Sequence, residues 1–271
     1  MLLSSVIIIL REVLEAAMLL CILLAMSRFM DMRARWFYAS LAAGVVGAVA
    51  YGHNLGLISN AFDGAGQELS DAALQLAIYL LLLLLVPLMV INHYRGSYRL
   101  PLLQCAMLLA VALAVLREGS EIYVYLSAFR YQSQLFSGVI TGALLGVGIG
   151  FSIGALCYYL LLGLPRRYTL LAACILLTLV GAGMCAQAAR MLIQVDWLPS
   201  QPPLWDTSAL LPEESLPGQL LYALISYEAS PTPIEVAIYA VSMALMVLLI
   251  GLTFYACRSD RADRVPAARA H

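Results

Sequence analysis

Long apolar stretches divide the chain into segments of membrane-spanning length. A run of about 20 apolar residues bounded by polar or turn residues can cross a bilayer as a helix. Seven such runs occur, at roughly 2–27, 37–58, 72–92, 101–128, 136–163, 168–194 and 234–256. Charged residues make up 11% of the chain, whereas a soluble domain carries about 25%. We therefore predict an all-α integral membrane protein with seven transmembrane helices.

The arginines are distributed unevenly between the predicted loops. Arg130 is alone on one side of the predicted membrane. The opposite side holds Arg28, Arg33, Arg35, Arg95, Arg99, Arg166, Arg167, Arg258, Arg261, Arg264 and Arg269. Basic loops face the cytoplasm in most membrane proteins, so we predict the N-terminus outside and the C-terminus inside a plasma membrane, here the bacterial cytoplasmic membrane. The first run lacks a basic start and a cleavage site, and we expect it to remain as a span.

Three charged residues interrupt the first apolar run near its middle. The sequence LREVLE at 10–15 returns as LREGSE at 116–121, in the middle of the fourth run. A charge at the centre of a membrane helix costs roughly 2.5–3.5 kcal/mol, so such residues indicate function. Because two spans lie between the two copies, the helices that carry them run in opposite directions.

Small residues also recur at matching places in the two halves. The second run has Ser40, Gly44, Ala48, Gly52 and Gly56, and the fifth has Gly138, Gly142, Gly146, Gly150 and Gly154. Small residues at every fourth position let helix backbones approach closely. We predict a 3+3 inverted repeat plus a seventh helix, a plan that transporters use to build a midplane site. The single domain 1–271 then comprises repeats 1–100 and 101–194, an external loop 195–233, a helix 234–257 and a cytoplasmic tail 258–271.

The two charged motifs together predict a metal site. On a helix, Arg11, Glu12 and Glu15 lie within about 100° of arc, as do Arg117, Glu118 and Glu121. If the helices cross there, four carboxylates and two charge-balancing arginines converge. Carboxylate oxygens without nearby His or Cys suit a hard cation. The alternative is that each motif only neutralises itself and ties two helices together.

Further residues extend the helical faces toward the two surfaces. Ser4 and Tyr125 are candidates for the external approach and Met18 for the cytoplasmic side, although each could be an ordinary core residue. An acidic external rim would concentrate cations, unless it is an ordinary solvated face; it comprises Asp63, Glu68, Asp71, Glu228 and Glu235. The 195–233 segment has seven prolines and predicts a short interfacial helix, or an ordered cap without a direct role.

The paired motifs resemble those of the oxidase-dependent high-affinity iron permeases, a family with fungal and bacterial members. The late segment LWDTSALLPEESLPGQLLYALISYEASPTP is also similar to the bacterial members, and the resemblance covers nearly the whole chain. It implies seven spans, iron uptake, and iron binding by the motif glutamates Glu12, Glu15, Glu118 and Glu121. It also implies a separate extracytoplasmic protein that binds or oxidises iron.

Two positions depart from the usual R-E-G-L-E motif of that family. Val13 replaces the glycine of the first copy, and Ser120 replaces the leucine of the second. The Arg and Glu positions are kept, so the departures concern helix packing at Val13 and not the metal ligands. Tyr123 and Tyr125 after the second motif indicate a subgroup with its own partner or metal preference.

Other functions are less compatible with the chain. Residues 150–154 spell G-x-S-x-G, but they lie within an apolar helix and not at a strand-to-helix turn, which argues against an enzyme. His53 and His93 lie on opposite sides of the bilayer and could not ligate one haem. A non-transporting metal sensor or scaffold, or a permease for another cation such as Mn²⁺, remains open. We expect iron as Fe³⁺ or Fe²⁺ to be transported, with no permanent cofactor, membrane lipid as a partner and no nucleic acid.

Overall fold

A computed structural model describes residues 2–96, 100–129 and 133–267. Long helices dominate this part of the chain, as the apolar runs predict. They are α1 (Leu2–Phe29), α2 (Arg35–His53), the short α3 (Leu55–Ser59), α4 (Gly66–Arg95), α5 (Leu100–Ala128), α6 (Ser133–Gly163), α7 (Arg166–Gln194), α8 (Leu216–Ile225) and α9 (Pro233–Ala267), with a 3₁₀ turn at Phe62–Gly64. Arg99, Arg130 and Arg269, which entered the prediction of orientation, lie outside the described residues.

Five of these helices are long and apolar enough to cross a membrane, namely α4, α5, α6, α7 and α9. Helix α1 is of comparable length, but Arg11, Glu12 and Glu15 interrupt its apolar character. Helix α2 has 19 residues, begins at Arg35, ends at His53, and is rich in glycine and alanine. For the residues that the structure describes, these five helices agree with the predicted helical membrane protein.

The long helices pack in three main pairs. Helix α1 packs against α6, α2 against α5, and α4 against α7. The α4–α7 pair also contacts α9, and α4 contacts α5. A large apolar cluster fills the half of the molecule that holds the C-terminal half of α1, the N-terminal half of α5 and the facing parts of α4 and α7; its fully buried members include Leu19, Ile22, Met26, Leu82, Leu85, Met89 and Leu103.

Glycines allow the close approach within the first pair. A Cβ on Gly142 would lie 2.6 Å from the backbone oxygen of Leu2, and one on Gly146 would lie 2.8 Å from that of Val6. A Cβ on Gly150 would lie 2.6 Å from Cγ1 of Val13. These positions require glycine because α1 occupies the space of a side chain.

The second pair repeats these contacts at equivalent positions. A Cβ on Gly44 would lie 2.6 Å from Cβ of Val115, one on Gly52 would lie 2.2 Å from Cδ1 of Tyr123, and one on Gly119 would lie 3.0 Å from Cβ of Ala48. The predicted ladders therefore mark real helix contacts at these places. Gly56 and Gly138, the outermost members, have no described atom within 4 Å of such a Cβ.

A short helix lies in the 195–233 segment, and the last helix extends beyond its predicted boundary. Helix α8 lies within the 195–233 segment; Ser215 caps its N-terminus by accepting from the Gly218 amide, and Ser226 ends it with φ 50°. It packs on α1 and α7, and Ala223 joins Leu10, Leu14 and Met18 in an apolar cluster. Helix α9 continues to Ala267. The predicted tail therefore begins as helix, because residues 258–265 contain neither glycine nor proline.

Candidate metal-binding site

Three glutamates from the two charged motifs meet between α1 and α5. One carboxylate oxygen from each of Glu12, Glu15 and Glu118 lies within 4.8 Å of the other two. The three residues are only 7%, 3% and 1% exposed. The antiparallel helices thus bring together the motifs that the sequence predicts to face each other.

Arg117 lies at the centre of this charge cluster. Its Nη1 is 3.1 Å from Oε2 of Glu15 and 2.5 Å from Oε1 of Glu118, and its Nη2 is 3.1 Å from Oε1 of Glu121. The side chain is 3% exposed. A buried guanidinium is tolerated because these carboxylates pair with it, and it links the two motifs across the helix interface.

Arg11 has a different environment, although its place in the motif is the same. Its Nε lies 3.6 Å from Oε1 of Glu15, and its side chain is 37% exposed. Its guanidinium carbon lies 3.8 Å from the centre of the Tyr222 ring, a cation–π contact with α8. Arg11 is therefore held partly by the 195–233 segment.

Glu121 stands apart from the three clustered carboxylates. It pairs with Arg117, and 32% of its side chain is exposed. The structure thus brings three of the four predicted ligands together and places the fourth at the edge of the group, one arginine away.

Several carboxylate oxygens of the cluster are buried without a hydrogen bond. Within the described part of the chain, Oε2 of Glu12 and Oε2 of Glu118 have no hydrogen-bond partner, and Oε1 of Glu15 has no hydrogen bond besides its ion-pair contact with Arg11. Buried carboxylate oxygens are costly unless a hydrogen bond or a cation compensates them. Four carboxylates and two guanidiniums sum to a charge of −2, so the group is suited to accept a hard cation.

Two buried glutamines extend the site. Gln187 of α7 donates from Nε2 to Oε2 of Glu15 at 3.2 Å, and its Oε1 accepts from Nε2 of Gln75 of α4 at 2.8 Å. The same Nε2 lies 3.3 Å from the Ser226 hydroxyl. Sequence reasoning missed both glutamines and Tyr222. Gln75 and Gln187 are each an isolated amide within a predicted apolar run, and this was the sequence signal that could have identified them.

The three candidate pathway residues occupy distinct places. Ser4 is exposed and lines a cavity that also reaches Glu12. The hydroxyl of Tyr125 forms a 2.7 Å hydrogen bond with the Ser5 hydroxyl, between α5 and α1. Met18 is 4% exposed and packs in the apolar cluster with Ala223.

The five candidate rim residues fall into two groups. Asp63 is exposed, Glu68 is half-buried, and Asp71 is buried and accepts from the Tyr51 hydroxyl at 3.3 Å. Glu228 and Glu235 both pair with Arg190, whose Nε lies 3.1 Å from Oε1 of Glu235. Burial raises the pKa of the Glu228 carboxyl to about 7, with the Arg190 guanidinium opposing the rise and the Glu235 carboxylate adding to it.

One protein-family model and several known permeases match the chain. The model of the iron permease FTR1 family matches residues 2–262. The ferrous iron permease EfeU of Escherichia coli O6:H1 (strain CFT073) is 28% identical over 253 residues, which cover 86% of this chain and 89% of that protein. The ferrous iron permeases EfeU of Shigella flexneri and Yersinia pestis are 31% and 29% identical over 54% and 60% of this chain, and 63% and 57% of their own lengths.

No solved structure matches the chain. The family match spans nearly all of it, including both charged motifs and the 195–233 segment. The chain therefore belongs to the iron permease FTR1 family, whose members are iron transporters of the membrane.

Proposed function

We propose that this chain is an iron-uptake permease that binds the metal near the middle of the membrane. Glu12, Glu15 and Glu118 supply the ligands, and Glu121 receives or releases the ion at the edge of the group. The observation that carries this proposal is the set of buried carboxylate oxygens without hydrogen-bond partners between α1 and α5.

The charge of the site favours a divalent ion. A charge of −2 is balanced by one divalent cation, whereas a trivalent ion would leave an excess positive charge in a region of low dielectric constant. The relatives are named ferrous iron permeases. We therefore assign Fe²⁺ as the first candidate, Fe³⁺ as the second and Mn²⁺ as the competing divalent ion. Arg117 keeps the net charge low, which allows the ion to leave again.

The proposed architecture has seven spans, with α1 and α2 added to the five apolar helices. Helices α1, α2 and α4 form the first repeat, and α5, α6 and α7 form the inverted second. The packing supports a two-fold relation, because exchanging the repeats turns the α1–α6 pair into the α5–α2 pair and leaves α4–α7 unchanged. Under the arginine distribution, the N-terminus and the 195–233 segment are outside and the C-terminus is inside.

An external protein completes the proposed pathway. The 195–233 segment presents acidic residues such as Glu214 on its surface, and rim residue Asp63 is also exposed. Under the arginine distribution, both residues lie outside. A separate extracytoplasmic protein that binds or oxidises iron would deliver the ion there. A non-transporting sensor would need no second, inverted copy of the motif, and we therefore favour transport.

Metal uptake by proteoliposomes tests the proposal. Wild type, Glu15→Gln and Glu121→Gln are compared with Fe²⁺, Fe³⁺ and Mn²⁺, since glutamine keeps the size of the side chain and one oxygen but removes the charge. Asp196→Asn makes the same change at an exposed position with φ 58°, where asparagine is well tolerated. We expect uptake to fall at least tenfold in Glu15→Gln and to be unchanged in Asp196→Asn. Normal uptake by both motif variants would exclude a charged metal site.

A further inference from the structure

A second group of oxygen atoms lies next to the buried cluster, on the side of the 195–233 segment. A cavity of about 320 Å³ opens there between α1 and the start of α8. Two isoleucines of α1 form its apolar wall, and its polar lining consists of Ser4, Arg11, Glu12, Glu214 and Gln219. Glu12 therefore belongs both to this cavity and to the carboxylate cluster.

Gln219 gives the cavity a buried acceptor without a donor. The residue is 6% exposed, and its Nε2 donates to the backbone oxygen of Glu213 at 2.8 Å, which fixes the orientation of the amide. Its Oε1 is buried and has no hydrogen-bond partner among the residues that the structure describes. The Gln219 side chain lines the cavity, and its unpaired, buried carbonyl oxygen favours a nearby ligand that brings positive charge.

The dimensions and chemistry of the cavity fit a hydrated cation. Six waters around an ion occupy roughly 180 Å³, at about 30 Å³ per water, which is less than the volume available. The amide oxygen of Gln219, the carboxylate of Glu214 and the hydroxyl of Ser4 are the oxygen ligands that hard cations prefer. The carboxylates of Glu12 and Glu214 and the guanidinium of Arg11 give the cavity a net charge of −1.

We infer that this cavity is an outer cation subsite, in which Glu214 and Gln219 hold a hydrated metal ion before Glu12 passes it to the buried cluster. The inference rests on the proposed function, which supplies iron as the ion and the 195–233 side as the side of entry. Glu214 is exposed and captures the ion from water, whereas Gln219 is buried and replaces part of its hydration shell.

The kinetics of uptake separate the two sites. Initial uptake rates are measured in proteoliposomes over a range of concentrations of the iron species that wild type transports. We expect Glu214→Gln and Gln219→Leu each to raise KM about five- to tenfold, with Vmax within about twofold of wild type, because capture is weakened and the inner site is intact. Asp196→Asn, an equal change of charge elsewhere in the same segment, keeps the wild-type KM.

The other outcomes separate a failure of the outer subsite from a failure of the proposed function. Glu214 is exposed, so Glu214→Gln remains informative even if Gln219→Leu fails to fold. Wild-type KM values in Glu214→Gln and in folded Gln219→Leu, together with loss of uptake in Glu15→Gln, would overturn the outer subsite alone. A fall in Vmax at unchanged KM would overturn it as well. Normal uptake in both Glu15→Gln and Glu121→Gln would overturn the proposed function, and the inference with it.

Discussion

Arg11 and Arg117 share a place in the motif but not a role in the site. Arg117 is 3% exposed and pairs with Glu15, Glu118 and Glu121, whereas Arg11 is 37% exposed and is shared between Glu15 and the ring of Tyr222. Removing one partner of a buried ion pair leaves the other uncompensated in a medium of low dielectric constant. Arg117 therefore provides most of the charge compensation at the site.

Replacing each arginine by glutamine should reveal this difference. Arg117→Gln leaves three carboxylates without their shared partner, and we expect it to destabilise the protein by about 3–5 kcal/mol. Arg11→Gln loses a partly exposed ion pair and a cation–π contact, and we expect it to destabilise the protein by about 1 kcal/mol. Thermal unfolding of the purified protein in detergent measures both. Equal destabilisation by the two variants would contradict the conclusion that Arg117 provides most of the charge compensation.

At the scale of helices, the equivalent α1–α6 and α5–α2 contacts place the larger side chain on opposite partners. Where α1 has the branched Val13, α6 has Gly150; at the equivalent contact α5 has Gly119, and α2 has Ala48. The departure from the glycine of the family motif at Val13 is therefore matched by a small residue across the interface. The contact tolerates either arrangement because the summed side-chain volume stays small.

A double substitution tests this exchange of size. Gly150→Ala places a Cβ 2.6 Å from Cγ1 of Val13, and we expect a loss of about 1–3 kcal/mol because the β-branched side chain has little freedom to move. Adding Val13→Gly reproduces the Gly119–Ala48 contact and should recover part of that loss. Thermal unfolding of the four proteins gives the coupling energy. A double variant no more stable than Gly150→Ala would show that the two residues do not compensate each other.

The turn between α8 and α9 contains an acid that titrates near neutrality. Glu228 faces Arg190 of α7, Glu235 of α9 and Glu213 of its own segment, and burial raises its pKa to about 7. Because this value exceeds the ordinary 4.5, Glu228 stabilises the fold most below pH 4.5, and the contribution is lost as the pH rises through about 7.

Glu228→Gln should remove that pH dependence. Relative to the variant, we expect wild type to lose on the order of 1 kcal/mol of stability between pH 5 and pH 8, after allowance for screening by solvent. Thermal unfolding across this range provides the measurement. Asp206→Asn is the control, because its hydrogen bonds with Ser208 lower the pKa of Asp206 and place its titration below the range. A constant difference between wild type and Glu228→Gln would contradict the prediction.

For the molecule as a whole, access to the carboxylate cluster differs between the two sides. A cavity reaches Glu12 from the side of the 195–233 segment. On the opposite side, the large apolar cluster that includes Leu19, Leu82 and Leu103 fills the space between the helices. Under the proposed orientation the structure is open to the outside and closed to the cytoplasm, as expected of one state in an alternating-access cycle.

The limits of prediction from sequence follow from the range of the interactions involved. Apolar run length predicts the long helices, and glycines at every fourth residue predict close approach, because both signals are local. The contacts of Gln187 with Glu15 and of Tyr222 with Arg11 join residues far apart in the chain, and an isolated polar residue carries no information about its partner. The unequal burial of the two arginines is also set by the fold, because Arg117 reaches across the helix interface to Glu15 of α1, whereas Arg11 contacts Tyr222 of α8.

The orientation of the whole molecule is tested by cysteine labelling. In a cysteine-free protein that retains iron uptake, Ser208→Cys places a thiol in the exposed part of the 195–233 segment, and Ala34→Cys places one in the exposed turn between α1 and α2. The arginines predict that the 195–233 segment is external and the α1–α2 turn cytoplasmic. A maleimide that cannot cross the cytoplasmic membrane should therefore label Ser208→Cys in intact cells and Ala34→Cys only after lysis. The reverse pattern would place the open cavity on the cytoplasmic side and make the structure the inward-facing state.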